Sequence, residues 1–355
     1  MSERTMSSRR TRVVVVDDSM FMRAAVKRAL EADGRFEVVG QGKDGRDGVD
    51  KVLALRPDVV TMDFNMPRLD GVAAVREIMA RRPTPIVMLS AHTTEGAKET
   101  VDALAAGAVD FLTTPSGEVS ADFSVLGPKL CDKVAAASGA APRPERAPLP
   151  RPLSSSSGSM PRVTPTPTGT FPVRLCVVAI STGGPAALSR VIPALPAELG
   201  VGLIVVQHMP AQFTAALAER LDGVSAVDVR EAKNGDRSRP GLVLIAPGDR
   251  HVELADNGAI RLDDGPEVNG CRPAADVTLR AAARVHGRRA AGLVMTGMGR
   301  DGADGLAAIK GAGGVTLAQD RASSVIWGMP RAAVELGVVD EVLPLDDIAA
   351  RLARL

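Results

Sequence analysis

The stretch VRLCVVAISTGGP, Val173 to Pro185, decides the reading of this 355-residue chain. Apolar and β-branched residues run from Val173 to Ile180, as in a buried strand, and Ser181-Thr182-Gly183-Gly184 follow at once. The next run, AALSRVIPALP, predicts a helix over Ala186–Leu195 that starts near Pro185. Strand, tight glycine turn and helix hold a functional group over the carboxyl edge of an α/β sheet. This turn exposes a hydroxyl, Ser181, and frees backbone N–H groups, so Ser181 reads as a nucleophile.

Working outward, the same α/β rhythm continues to the C-terminus. Strands are expected at Val201–Val206, Ala226–Val229, Leu242–Ala246, His251–Leu254, Ala259–Leu262, Ala290–Met295 and Val315–Leu317. Asp256-Asn257-Gly258 between two of them marks a hairpin turn, so one antiparallel excursion is expected in a mostly parallel domain. Upstream, Ser138 to Pro172 holds nine prolines, the run Ser154–Ser157 and almost no large apolar residue. Such a segment cannot bury enough surface to fold and reads as a linker over 138–172. Before it, five strand-helix units alternate over residues 11–137, which predicts a second parallel doubly wound sheet.

Composition narrows the function classes. With 43 basic and 42 acidic residues, the net charge of +1 gives no reason to expect nucleic acid or a membrane surface as partner. Seven Phe, one Trp and no Tyr would serve base stacking poorly. Cys131, Cys176 and Cys271 are odd in number and widely spaced, which gives neither a disulfide framework nor a zinc pattern. No apolar run approaches ~18 residues, so a soluble cytoplasmic protein is expected.

A serine nucleophile needs a base. Of the four histidines, His92 lies in the first domain, His251 begins a strand beside an acidic hairpin, and His286 ends a helix rich in Ala and Arg, where it is expected to be exposed. His208 alone follows a long apolar strand, VGLIVVQHMP, at its carboxyl end, the edge that also carries Ser181. An acid is available in LVMTGMGRDGADG, Leu293–Gly305, where an apolar strand runs into a glycine-rich turn with Asp301, and Asp304 begins the next helix. Such an acid would fix the imidazole tautomer. Gly297, Gly299 and Gly302 would aim N–H groups at an oxyanion, each donor worth ~2.7–4 kcal/mol. A phosphate-binding glycine turn is the alternative on composition alone, although neither a GxxxxGK pattern nor GxGxxG spacing is present.

In the first domain, Asp17 and Asp18 end the first strand and Asp63 the third, which brings three carboxylates to one crevice. A bound divalent cation relieves their repulsion, and Mg²⁺, hard and oxygen-liganded, suits the set.

Two resemblances add to this reading. VVVVDDS at Val13–Ser19, DVVTMDFNMPRLDG at Asp58–Gly71, Ser90 after the fourth strand and Phe111 on the fifth resemble a response-regulator receiver domain. The resemblance implies a flavodoxin-like, five-stranded parallel doubly wound sheet. It also implies phosphoryl acceptance at Asp63 from a chemotaxis histidine kinase, Mg²⁺ held at Asp17, Asp18 and Asp63, and switch roles for Ser90 and Phe111. Thr114 stands where that family carries Lys, so weaker coupling of phosphorylation to the switch is expected. ISTGGP at Ile180–Pro185, QHMPAQFTAALAERL at Gln207–Leu221 and MTGMGRDGADG at Met295–Gly305 resemble the protein-glutamate methylesterase (CheB) family of bacterial chemotaxis.

That second resemblance implies a doubly wound α/β esterase domain over 173–355 with an antiparallel hairpin. It favours Asp301 over Asp304 as the acid that orients the base His208, places Thr182 beside the nucleophile Ser181, and gives the Met298 N–H to the oxyanion hole. It further implies hydrolysis of glutamate methyl esters and deamidation of glutamines on chemoreceptor cytoplasmic helices. The esterase chemistry would need no cofactor, and the protein would be a monomer. The rivals are a phosphorylation-gated binding module, a DNA-binding regulator and a nucleotide site.

Overall fold

The computed structural model describes residues 9–91, 94–114, 123–140 and 172–355. The first domain runs β1 Thr11–Val16, α1 Met20–Asp33, β2 Phe36–Gly42, α2 Gly45–Leu55, β3 Val59–Asp63, α3 Gly71–Arg81, β4 Ile86–Ala91, α4 Thr94–Ala105, β5 Asp110–Thr114 and α5 Phe123–Ser138. Its five strands are parallel, in the order β2-β1-β3-β4-β5. Val13–Val16 of β1 are wholly buried because helices cover both faces. The helix starts are set by polar caps: Ser19, Asp44 and Asp70 accept from the N–H groups of Met22, Asp47 and Ala73. Nearly all of the linker expected over 138–172 lies outside the described residues, as do His92 and Pro115.

The second domain continues with β6 Leu175–Ile180, α6 Gly184–Val191, β7 Gly202–Gln207, α7 Ala211–Val224, β8 Asp228–Glu231, β9 Leu242–Ile245, β10 His251–Leu254 and β11 Ile260–Asp263. It closes with α8 Ala275–His286, β12 Ala290–Val294, α9 Ala303–Gly311, β13 Val315–Gln319, α10 Met329–Glu335, β14 Glu341–Leu343 and α11 Leu345–Leu352. Seven parallel strands lie in the order β14-β13-β12-β6-β7-β9-β8. β10 and β11 form the expected antiparallel hairpin as a separate ribbon. Every residue of β6, β7 and β12 is buried, which is why these strands read as unbroken apolar runs rather than alternating ones.

The strand order reverses between β6 and β12, and the crevice at such a switch point is where open α/β sheets bind ligands. The helix expected over Ala186–Leu195 runs instead from Gly184 to Val191; Ile192 keeps helical backbone, but Pro193 has no N–H with which to continue the ladder. The strand expected at Ala226–Val229 is shifted to Asp228–Glu231. β14 was not expected at all. It is three residues long and pairs at the sheet edge with β13. Among the described residues, no helix is long and apolar enough to cross a membrane.

The two domains meet over the carboxyl edge of the second sheet. An apolar cluster runs from Val101, Leu104 and Phe111 across to Met209, Phe213 and Leu217. The Phe111 and Phe213 rings lie 4.5 Å apart. Lys98 pairs with Glu219 at 3.1 Å, and Arg220 pairs with Asp102, both between α4 and α7.

Candidate active site

Ser181 leaves β6 with its N–H donating to Thr296 O (3.0 Å), so the ends of β6 and β12 are tied together. Gly183 turns the chain at φ 78°, a left-handed conformation that costs glycine nothing, and α6 begins at once. Gly297 permits the close approach from the other side. A Cβ there would lie 2.8 Å from Ser181 Cβ and 2.2 Å from Met329 Sδ. His208 leaves β7 with its N–H bonded to Ile180 O (3.1 Å). Gln207, buried just before it, donates to Ser181 O at 3.1 Å and so braces the serine turn.

His208 Nε2 lies 2.8 Å from Asp301 Oδ2. Asp301 is 2 % exposed. Burial alone would raise its pKa, but the bond from His208 and those from Ala275 N and Asn269 outweigh it and hold the carboxyl below the usual range. An ionised Asp301 accepts, so Nε2 carries the proton and Nδ1 is the nitrogen left for chemistry. Burial works against a charged His208, but the bond to Asp301 and the contact with Cys271 overcome it and raise the imidazole to about 9. Asp304, the other acid of the turn, is half-buried and pairs with Arg300 at 2.9 Å, so the two acids separate by environment.

Three groups at this edge were not anticipated from sequence. The Cys271 Sγ lies 3.6 Å from His208 Nδ1, although the cysteine spacing suggested no site. Asn269 Nδ2 donates to Asp301 Oδ1 (3.0 Å) and to Asp276 Oδ2 (2.9 Å). Only the polar residues in VNGCRPAAD, Val268–Asp276, at the entry to α8 hint at them. His251 is structural: its Nδ1 accepts from Ala274 N (3.1 Å) and its Nε2 donates to Pro266 O (3.0 Å), which pins both ends of that loop. His286 is half-buried rather than exposed.

The first domain closes over the serine turn. Thr182 Oγ1 donates to Asp110 Oδ2 (2.8 Å), and Gly183 N donates to Val109 O (3.1 Å). Lys133 of α5 also holds Asp110, at 2.8 Å. The cavity left among Leu104, Asp110, Ser181, Thr182 and His208 is about 20 Å³, room for a single water and not for a side-chain ester. Among the described residues, Ser181 Oγ makes no hydrogen bond, and neither does the Met298 N–H. The Met298 side chain is 55 % exposed at the rim.

At the other sheet edge, carboxylate oxygens of Asp17, Asp18 and Asp63 lie within 4.8 Å of one another. Burial and the neighbouring Asp63 raise Asp17 to about 7. Burial and Asp18 raise Asp63 to about 6. Ser90 is buried against α4, where its hydroxyl accepts from Thr100 Oγ1 at 2.9 Å. Phe111 is also buried, under α7 of the second domain. Thr114 closes β5.

Comparison with known proteins places these observations. Residues 176–352 match the CheB methylesterase family, and residues 13–120 match the response regulator receiver domain. A protein-glutamate methylesterase/protein-glutamine glutaminase of Symbiobacterium thermophilum is 50% identical over 360 residues, covering 100% of this chain and 99% of that protein. One from Pseudomonas aeruginosa is 44% identical, covering 96% of this chain and 98% of its own length. The solved catalytic domain of the Thermotoga maritima CheB methylesterase covers 52% of this chain and 99% of its own, at 41% identity and a TM-score of 0.50. With both sheets, both sheet-edge sites and these full-length similarities in hand, the chain belongs to the CheB methylesterase family, the protein-glutamate methylesterases/protein-glutamine glutaminases that carry a response regulator receiver domain.

Proposed function

We propose that this chain hydrolyses glutamate methyl esters on the cytoplasmic helices of chemoreceptors, releasing methanol, and deamidates glutamines at such positions by the same acyl chemistry. The observation that carries the reading is the 2.8 Å bond between His208 and buried Asp301 at the sheet's switch point, with Ser181 lining the same cavity. Ser181 Oγ attacks the ester carbonyl and His208 Nδ1 takes its proton. Asp301 holds the ring through Nε2 and stabilises the imidazolium that forms. The free N–H of Met298 stands ready for the oxyanion, with Thr182 beside the nucleophile. Methanol leaves with the proton from His208, and water then clears the acyl-enzyme.

The first domain accepts a phosphoryl group at Asp63 from a chemotaxis histidine kinase. Its crowded carboxylates fit a divalent cation, and Asp17, Asp18 and Asp63 would hold Mg²⁺. When bound, that ion neutralises the carboxylates and the phosphoryl oxygens. In the covered state His208 Nδ1 faces Cys271 and the cavity excludes the substrate, so phosphorylation acts by loosening the cover. A shift from 1:99 to 99:1 would need ~5.5 kcal/mol of differential stabilisation, so partial activation is expected. With Thr114 in place of Lys, stimulation is weaker than in a Lys-bearing relative, and Thr114→Lys should raise it. The protein acts as a cytoplasmic monomer.

The test is methanol release from methylated receptor cytoplasmic fragments, with and without a small-molecule phosphodonor and Mg²⁺. Ser181→Ala should abolish release while receiver phosphorylation continues. Near-normal release in that variant would overturn the assignment.

A further inference from the structure

Asp301 is tied to a second buried carboxylate that the proposed reaction does not use. Asp276, in the first turn of α8, is 1 % exposed. Its Oδ1 accepts from Gly302 N (3.0 Å) and Gly305 N (2.6 Å), at the start of α9. Asp301 returns the exchange: Oδ2 accepts from Ala275 N (2.6 Å) and Oδ1 from Asp276 N (3.1 Å), at the start of α8. Each helix thus caps the other with a carboxylate, although neither has a capping side chain at its own N-cap.

Two carboxylates this close repel when both are ionised, and burial with Asp301 nearby raises the pKa of Asp276; among the described residues one side chain donates to both. Asn269 Nδ2 has two N–H groups and gives one to each, Asp276 Oδ2 at 2.9 Å and Asp301 Oδ1 at 3.0 Å. To reach them the Asn269 backbone adopts φ 55°, a left-handed conformation that Asn tolerates better than most residues.

We infer that Asn269 is a positioning residue for the esterase reaction: its amide bridges Asp276 to Asp301 and fixes the carboxylate that holds His208. The inference rests on the roles proposed for His208 and Asp301. Without the amide, Asp301 Oδ1 keeps one donor, Asp276 N, and meets the repulsion of Asp276 with only the half-exposed Arg280, 3.7 Å from Asp276, to offset it. The carboxylate turns to relieve it, and Oδ2 leaves the line of His208 Nε2. The ionisable groups facing the pair are His208 and Cys271 on the cavity side, and Arg280 on the solvent side. Arg280 lies 3.7 Å from Asp276 and 3.8 Å from Asp304, which Arg300 also holds.

The test uses the full chain and two substitutions that suit a left-handed backbone. Asn269→Gly removes the amide; Asn269→Asp keeps the shape but replaces two donors with a charge. Both should lower kcat for methanol release roughly tenfold or more with KM held within about twofold. Asn269→Asp should also move the acid limb of kcat/KM to higher pH, because a third negative charge retains the imidazolium proton. Wild-type kcat and an unmoved acid limb in Asn269→Asp, beside an inactive Ser181→Ala control, would overturn the inference and leave the esterase reading standing. A loss confined to KM, or one that follows the melting midpoint with the pH profile unchanged, would overturn it too. An active Ser181→Ala would remove the reading on which it rests. Should Asn269→Gly fail to fold, Asn269→Asp decides alone.

Discussion

Both domains gather carboxylates at the carboxyl edge of a parallel sheet, and they treat them in opposite ways. In the receiver, Asp17 is buried and Asp63 half-buried beside the exposed Asp18, and desolvation and repulsion push the first two up, to about 7 and about 6. In the esterase domain, Asp301 and Asp276 are buried more deeply and each accepts several N–H groups; burial and the neighbouring Asp301 still hold Asp276 above the usual range, but Asp301 stays below it. The first site is left short of positive charge and suits a cation and a phosphoryl group that come and go. The second is complete within the chain and suits a charge that must stay. Helix starts make the difference: two of them aim their N–H groups at the second pair.

The sharpest way to break this comparison is Asp301→Asn. It should lower kcat by roughly 10³–10⁴, as loss of a triad acid does. In the wild type, with His208 at about 9 in the covered state, kcat/KM should climb with pH and level near that value. In Asp301→Asn the plateau should begin at lower pH, since the partner that raises the imidazole is gone. A pH–rate profile of both proteins checks this, and coincident acid limbs would contradict the pairing.

Next in size is the cover. Asp110→Ala removes the acceptor of Thr182 and should raise basal release, up to about tenfold if that one bond is worth ~1–1.5 kcal/mol. Rates without phosphodonor test it; an unchanged rate would mean that the remaining contacts, the Phe111–Phe213 packing, the Gly183–Val109 bond and the α4–α7 ion pairs, hold the cover without it.

The smallest effect is on stability, and its sign differs between the domains. Asp17 and Asp63 have folded-state pKa values above the unfolded one, so the native receiver binds extra protons. Their contribution is fully present below the unfolded pKa and is lost as pH rises toward 6–7. Without divalent ions the receiver's melting midpoint should fall by ~4 °C between pH 5 and 7, and Mg²⁺ should restore it. Asp301 runs the other way: its contribution is present above the unfolded pKa and is lost as pH falls. Calorimetry of the full chain at both pH values, with and without Mg²⁺, reads the two trends separately.

The sequence carried much of this because its signals were local. Unbroken apolar runs marked β6, β7 and β12, and the residue that follows each strand could be placed at one sheet edge by counting. Ser181, His208, Asp17, Asp18 and Asp63 all came from that rule. Asp301 needed more, since Asp304 lies three residues on; strand counting does not separate them, whereas the family resemblance favours Asp301 and burial agrees. Asn269, Cys271 and Asp276 were missed for a physical reason. Their bonds to the site span 32, 63 and 26 residues, and no spacing rule reaches across a hairpin and a loop. The cover was equally silent: Thr182 and Asp110 lie 72 residues apart. β14, with three residues and no buried face, gave no periodicity to read.

The exchange of caps between α8 and α9 bears on how the catalytic domain breathes. The amides of Ala275, Asp276, Gly302 and Gly305 sit at helix starts, where fraying and fast solvent exchange are the rule. Here neither helix can fray without stripping the other of its cap. In deuterium exchange the four amides should open as one cooperative unit, at the free energy of the whole α8–α9 layer. The carboxylate behind His208 would then owe its stillness to the stability of that layer, and a substitution far from the cavity that softens the layer would blur the site without touching it.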